Sequence, residues 1–389
     1  MFIDLTDDQR KLRDELREYF KSLMTPEERT QLSEELNGEA YKAIVARMGR
    51  DGWLGVGWPV EYGGRGYGAV EQQIFVNEVN RAEIPYPVIT LQTVGPTLMR
   101  FGNAEQREFF LPRILAGEIH FAIGYTEPGA GTDLASLRTR AVLDGTEYIV
   151  NGQKLYTTGG HTADYIWLAC RTAPDAPKHQ GISILVVDTT SPGFSWTPII
   201  TSDGRHHTNA TYYSDVRVPV DRRIGEENAG WRMITTQLNH ERIALGPAGA
   251  LARFLDRFLV WARRPGPDGC PPLDAPAVRR AVGEVYAAVT VNQLFNWQVA
   301  AEMEAGGYGV AEASATKVFG SEQQQRLGQL IADVVARYGD PGDPETDALA
   351  RWVDRAAKSS LVLTFGGGVN EVQRELIATL GLGLPRVPR

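Results

Sequence analysis

Two short segments carry residue types and spacing suited to ligand chemistry. The first is GYTEPGAGTD (124–133). Its three glycines and one proline strip side chains from the chain, so backbone N–H groups can approach a ligand, and Thr126 and Thr132 set hydroxyls beside them. That suits a flat polar heterocycle or a pyrophosphate, and taken alone it also reads as a tight connection between strands. It is neither a GxGxxG fingerprint nor a P-loop, because no helix is predicted to follow and no Lys-Ser/Thr closes it. The second segment is KLYTTGG (154–160), where Tyr156 offers a ring for stacking and Thr157 and Thr158 offer hydroxyls. By itself it reads equally as an ordinary strand end. No His/Cys/Asp cluster has metal-ligand spacing, so no metal is expected. Cys170 and Cys270 are far apart and form no CxxC pair, which predicts a reducing interior rather than a disulfide framework.

The chain that must position these segments has 389 residues, 43% of them hydrophobic and 23% charged. That composition excludes bulk disorder and predicts two or three domain-sized units with a large core. With 40 Lys+Arg against 48 Asp+Glu the net charge is −8, which argues against a nucleic-acid or anionic-membrane binder. An anionic small ligand remains compatible with a local basic pocket. The charged start MFIDLTDDQRKLRDELREYF lacks the apolar stretch of an export signal, and no run approaches a membrane span, so a cytoplasmic protein is expected.

The first ~115 residues carry helical patterns. Thr6 with Gln9, and Thr25-Pro26 with Glu28, are start signals. From Ile119 the period changes to eight short runs rich in β-branched and aromatic residues, with turn signals at Asp144-Gly145 and Asn151-Gly152. An antiparallel sandwich or barrel is expected there. After Gly225 helical pattern returns, predicting helices over ~228–262, ~275–304, ~311–338 and ~345–364 and a last one from ~369. RRPGPDGCPPLDAP (263–276) and GDPGDPETD (339–347) break it. The expected fold class is α+β multidomain: an N-terminal helical domain (1–118), a middle β domain (119–224) and a C-terminal four-helix-type bundle (225–389).

In combination these motifs change the reading. YTEPGAGTDLASLRT, YIVNGQKLYTTGG, YSDVRVP, GEENAGW and LTFGGGVNEVQRELIATLGLGLPR, with the helix–β–helix order, give nearly the whole chain a sequence that resembles the acyl-CoA dehydrogenase flavoprotein family. The resemblance implies FAD, an acyl-CoA substrate and an acceptor such as electron-transfer flavoprotein. It implies that Tyr125, Thr126, Gly131 and Thr132 line the flavin and pyrophosphate side. Tyr156 would lie along the isoalloxazine, with Thr157 and Thr158 donating nearby. Gly368, Asn370 and Glu371 complete the cofactor set, and Thr132, Arg242 and Gly367 fall where relatives contact substrate. Donors aimed at a flavin favour the negative charge that reduction places on it.

Many members of the family carry their catalytic glutamate in the C-terminal segment that reads TFGGGVNEVQR (364–374) here, and that position is Gly367, which holds no proton acceptor. A minority, including isovaleryl- and long-chain-type enzymes, place it on a helix whose motif resembles LNHERIAL (238–245), and the matching residue is Glu241. Leu238, Leu245 and Ala248 share its helical face, and partial burial raises a carboxylate above its ordinary value of about 4.3, towards the range of a working base. The resemblance implies Glu241 as α-proton base, with the Gly367 N–H as a donor to the thioester oxygen.

Symmetric relatives complete each FAD site from a neighbouring subunit, through R-x-x-F-G and Q-x-x-G-G segments. The matching stretches here are RRPGPDGC and Ala336-Arg337-Tyr338-Gly339-Asp340, and Val369 replaces the usual threonine. The resemblance therefore extends to the base-carrying subunit of actinobacterial heterotetrameric enzymes acting on steroid side chains. It implies an α2β2 assembly with a paralogous subunit and a bulky acyl-CoA. The alternatives are a homotetrameric dehydrogenase for branched or carrier-protein-bound acyl thioesters, a flavin oxidase or monooxygenase on the same fold, and a non-catalytic supporting subunit.

Overall fold

The structure, a computed structural model, describes residues 4–240, 246–266, 269–307 and 309–386. The chain divides into two compact units. One comprises Met1–Ser22, Gly68–Ile84 and Arg242–Arg389, and the other Leu23–Tyr67 and Pro85–Glu241.

In the first unit, α1 (Asp7–Leu23) opens on the expected reciprocal cap: Gln9 N–H donates to Thr6 Oγ1 (3.3 Å) and Thr6 N–H to Gln9 Oε1 (3.0 Å). Its buried Leu16 and Phe20 form one stripe, and the Phe20 ring meets Phe75 of α4 (Ala69–Arg81). The C-terminal part consists of α8 (Ala248–Arg263), α9 (Pro276–Glu304), α10 (Val310–Tyr338), α11 (Pro344–Ser360) and α12 (Asn370–Leu376). Leu251, Phe254, Phe258, Val285, Leu327, Ile331 and Val353 form its core. Helices α9, α10 and α11 occur where periodicity predicts them. The single helix expected over 228–262 is two, α7 (Gly230–His240) and α8, because Gly246 takes φ +60° and Pro247 caps the restart. Large apolar side chains stay exposed near the C-terminus: Leu361, Val362, Phe365, Leu380, Leu382 and Leu384.

In the second unit, α2 (Pro26–Glu34) starts on the Thr25/Glu28 capping box, and α3 (Glu39–Arg50), α5 (Gly95–Phe101) and α6 (Ala104–Leu115) accompany one eight-stranded sheet. The strands are β1 (Phe121–Gly124), β2 (Arg140–Asp144), β3 (Glu147–Lys154), β4 (Tyr165–Arg171), β5 (Ile182–Asp188), β6 (Phe194–Ile200), β7 (His206–Pro219) and β8 (Arg223–Ile224). Their order is β6-β7-β3-β2-β4-β5-β8, with β1 beside β4. Most pairs are antiparallel as expected, but β1 and β2 both run parallel to β4. Asn151-Gly152 does not turn the chain. It lies inside β3 at a register shift, where a Cβ on Gly152 would come within 2.6 Å of Thr139 Oγ1. A β-bulge and a hairpin both draw on Asn-Gly, so the signal alone does not separate them. KLYTTG likewise forms no strand of its own: Lys154 ends β3 and the chain then leaves the sheet.

Candidate active site

The loop after β1 is held from behind by a buried ion pair. Lys154, at the end of β3, is 0% exposed. Its Nζ donates to Glu127 Oε1 (2.8 Å) and to the Tyr125 carbonyl (3.0 Å). Glu127 also accepts the N–H groups of Arg138 (2.7 Å) and Thr139 (2.8 Å), which fastens the loop to the start of β2. Burial pushes the Glu127 carboxyl up, but the Lys154 charge and these hydrogen bonds hold it below its ordinary value. At the loop tip Glu127 and Ala130 exchange N–H···O bonds of 3.0 and 3.1 Å, and Leu155 N–H donates to the Thr126 carbonyl (2.8 Å). The outward edge is bare. Gly129, Gly131 and Thr132 are exposed, and a Cβ on either glycine would meet nothing within 4 Å.

Tyr156 follows at the end of the same hairpin. Its backbone is left-handed (φ +59°), and the ring is 60% exposed. A non-glycine residue in that conformation stores strain, which marks a place where side-chain direction matters. Thr158 is exposed, with its hydroxyl 3.4 Å from Thr208 Oγ1. Thr157 differs from the expectation that its hydroxyl faces a ligand: it is fully buried, with Oγ1 against Thr211 Oγ1 (3.2 Å). Asn209 ties the Thr157 carbonyl (3.1 Å) to His161 Nδ1 (2.9 Å). Burial, then His206 and His207, push His161 down to about 4.

Sequence reasoning missed a second chain of polar contacts. Trp167 Nε1 donates to the Tyr125 hydroxyl (3.2 Å), which donates to Gln237 Oε1 on α7. Among the described residues the buried Gln237 amide nitrogen meets no partner. It also missed Glu127 and Lys154 as a pair. Their one visible signal was an acid and a base flanking two candidate loops.

The candidate residues Gly367, Gly368, Asn370 and Glu371 fall in the helical unit. Gly366–Gly368 form an exposed loop between Thr364 and α12, with φ +68° at Gly367 and +96° at Gly368. Gly366 N–H donates to the Val362 carbonyl (2.7 Å), while among the described residues no acceptor meets the Gly367 N–H. Asn370 is buried and bonded inward to Ser321 and Glu322, both at 3.1 Å, whereas Glu371 is exposed. Glu241 and Arg242 lie outside the described residues. The stretches matching the segments lent between subunits line a cleft of about 650 Å³. Asp274, Asp340 and Asp343 border it, and Arg264 is paired to Asp343 at 2.8 Å.

Residues 6–118, 122–216 and 228–381 match the N-terminal, middle and C-terminal domain families of acyl-CoA dehydrogenases. The chain belongs to the acyl-CoA dehydrogenase family. It is 62% identical to acyl-CoA dehydrogenase FadE29 of Mycobacterium tuberculosis across the full length of both chains. Among solved structures it is similar to a chain of the ChsE4-ChsE5 complex from Mycobacterium tuberculosis (49% identity, TM-score 0.91) and to a chain of the Tcur3481-Tcur3483 steroid ACAD (47% identity, TM-score 0.92). Both matches cover all of each chain.

Acyl-CoA dehydrogenases are FAD-dependent oxidoreductases, and this chain is one of them. The β unit fits the flavin end of that cofactor. It offers a bare backbone edge at Gly129–Gly131 that accepts a close ligand, hydroxyls at Thr126, Thr132 and Thr158, and an exposed ring at Tyr156. Among the described residues the cleft beside Arg264 does not fit a diphosphate, because its arginine is already paired to Asp343 and carboxylates outnumber it. Among the described residues no helix is long and apolar enough to cross a membrane.

Proposed function

We propose that this enzyme desaturates a bulky, steroid side-chain-like acyl-CoA at Cα–Cβ as the base-carrying subunit of an α2β2 assembly. Glu241 removes the α-proton of the thioester, and the product is the trans-2-enoyl-CoA. The Gly367 N–H donates to the thioester oxygen as negative charge develops on it. Arg242 contacts the substrate, and Thr132 its CoA portion. Tyr125, Thr126, Gly131, Thr132, Tyr156 and Thr158 hold the cofactor from the β unit. Thr157 supports them from its buried position against Thr211, and Gly368, Asn370 and Glu371 contribute from the C-terminal loop. FAD held by these residues would supply the acceptor for the β-hydrogen and its electron pair. We take 118/119 and 224/225 as the domain boundaries and electron-transfer flavoprotein, or a similar protein, as the acceptor.

The observation that carries this reading is the bare Gly366–Gly368 loop. It offers an amide that meets no acceptor among the described residues, and it has no carboxylate, so the proton acceptor must come from elsewhere. The neutralised Arg264 supports the need for a paralogous partner that keeps the segments missing here. The similarity to the Tcur3481-Tcur3483 steroid ACAD supports the substrate class.

Co-expression with such a paralog, followed by mass and flavin measurement, tests the assembly. The expected result is one FAD per two chains, and a flavin-replete homotetramer sinks the proposal. In the assembled enzyme Glu241→Gln is expected to lower turnover by at least roughly 10²-fold. Unchanged turnover would instead identify a supporting subunit. A panel of short, branched and steroid acyl-CoAs with an artificial electron acceptor tests the substrate class.

A further inference from the structure

Three consecutive glycines have no side chains with which to fix their own conformation, and each gives up more backbone freedom on ordering than any other residue. The loop at Gly366–Gly368 nevertheless takes a defined course, because Lys317 of α10 fastens it. Lys317 Nζ donates to the Gly368 carbonyl (2.6 Å) and to Asn370 Oδ1 (2.7 Å). The side chain is only 4% exposed. Carboxylates are close by, yet among the described residues none forms an ion pair with the lysine. Glu322 instead accepts from Asn370 Nδ2 (3.1 Å) and from Arg374 (2.6 Å). A cation buried on a carbonyl and an amide, rather than on a carboxylate, is an expensive way to stabilise a helix bundle. Burial pushes this ammonium down to about 8, against the raising influence of Glu371 and Glu322.

The same turn of α10 also bears on the stretch that follows Glu241. A Cβ on Gly246 would come within 2.8 Å of the Thr316 carbonyl, and one on Gly320 within 3.1 Å of Gly246 Cα. The Gly246 carbonyl accepts from Asn292 (2.8 Å) and Asn296 (3.1 Å). Residues 316–320 therefore hold the glycine loop and the turn five residues beyond the proposed base against one rigid surface.

We propose that Lys317 is a positioning residue for the reaction: it fixes the glycine loop so that the Gly367 N–H is aimed at the thioester oxygen as the enolate forms. It touches neither substrate nor cofactor. The inference rests on the Gly367 amide acting as that donor.

The test uses the flavin-loaded enzyme, with its partner subunit where the assembly requires one, and a 3-thia analogue of its best acyl-CoA substrate. Such a ligand loses its α-proton to the base but has no β C–H to transfer, so it stops at the enolate and gives a long-wavelength absorbance band. In Lys317→Met the bound enolate fraction at fixed pH is expected to fall roughly 10- to 100-fold, with melting temperature and flavin content near those of the parent. Lys317→Arg keeps the cation but cannot reproduce a single ammonium contact, so a smaller fall is expected. It stands in if the methionine variant does not fold. A folded, flavin-loaded variant of either kind with an unchanged enolate fraction overturns the positioning role and leaves the dehydrogenase reading standing. Failure of the parent enzyme to form any enolate overturns the Glu241 and Gly367 assignments themselves.

Discussion

The two glycine-rich loops, 124–133 in the β unit and 364–370 in the helical unit, use glycine for opposite reasons. In the first, Gly129 and Gly131 have ordinary backbone angles and empty space where a Cβ would stand. Glycine there keeps a surface bare. In the second, Gly367 and Gly368 adopt positive φ. Glycine there permits a turn that other residues resist. The fastenings differ too. Lys154 reaches Glu127 and Tyr125 across one hairpin, whereas Lys317 reaches Gly368 from a helix some fifty residues earlier. A bare binding edge can be built by local sheet pairing, but an isolated glycine turn in a helical bundle needs a long-range clamp.

The comparison breaks most visibly at Lys154. Lys154→Met leaves Glu127 buried and unpaired, and is expected to destabilise the β unit by about 3–5 kcal/mol in denaturant unfolding. A loss below about 1 kcal/mol would mean that the sheet alone holds the loop. Paired glycine substitutions sharpen the contrast. Gly368→Ala, with φ +96° in the parent, is expected to cost about 1–2 kcal/mol. Gly131→Ala should leave the melting temperature unchanged and lower flavin retention instead. The reverse pattern would exchange the two roles.

The two units also differ in their response to pH. Glu127 is held below its ordinary value, so its stabilisation is complete above about 4.3 and fades as acid brings the pH down through its folded value. Lys317 is held at about 8 against 10.5 when unfolded. Between those values the unfolded chain binds more protons, so stability should rise with pH across that window. Unfolding followed separately in the two units, with Lys317→Met as the control, is expected to show acid weakening in the β unit and alkaline strengthening in the helical unit, with alkaline strengthening in the β unit too because burial also lowers Lys154. A rise in the helical unit that persists unchanged in Lys317→Met would assign it to another group.

The sequence was most legible where a few adjacent residues decide the outcome. The caps at Thr6/Gln9 and Thr25/Glu28 are read from residues three apart, and both form as expected. The TEPGAG loop was legible because glycine and proline act locally. The break at Gly246-Pro247 was present as residues but masked by apolar periodicity that continues across it. Asn151-Gly152 misled because a bulge and a turn share the same chemistry. Lys154 and Lys317 were invisible: each looks like an ordinary charged residue until the fold buries it against a carbonyl distant in sequence. Thr157 was taken for an outward hydroxyl because alternation along KLYTTG cannot reveal where the chain leaves the sheet.

The exposed leucines and phenylalanine near the C-terminus bear on how this chain fares in a cell. Leu361, Val362, Phe365, Leu380, Leu382 and Leu384 present greasy surface within about two dozen residues, of the kind that quality-control machinery recognises. A molecule left uncovered there would be short-lived, so its abundance would follow the supply of whatever covers that surface rather than its own rate of synthesis.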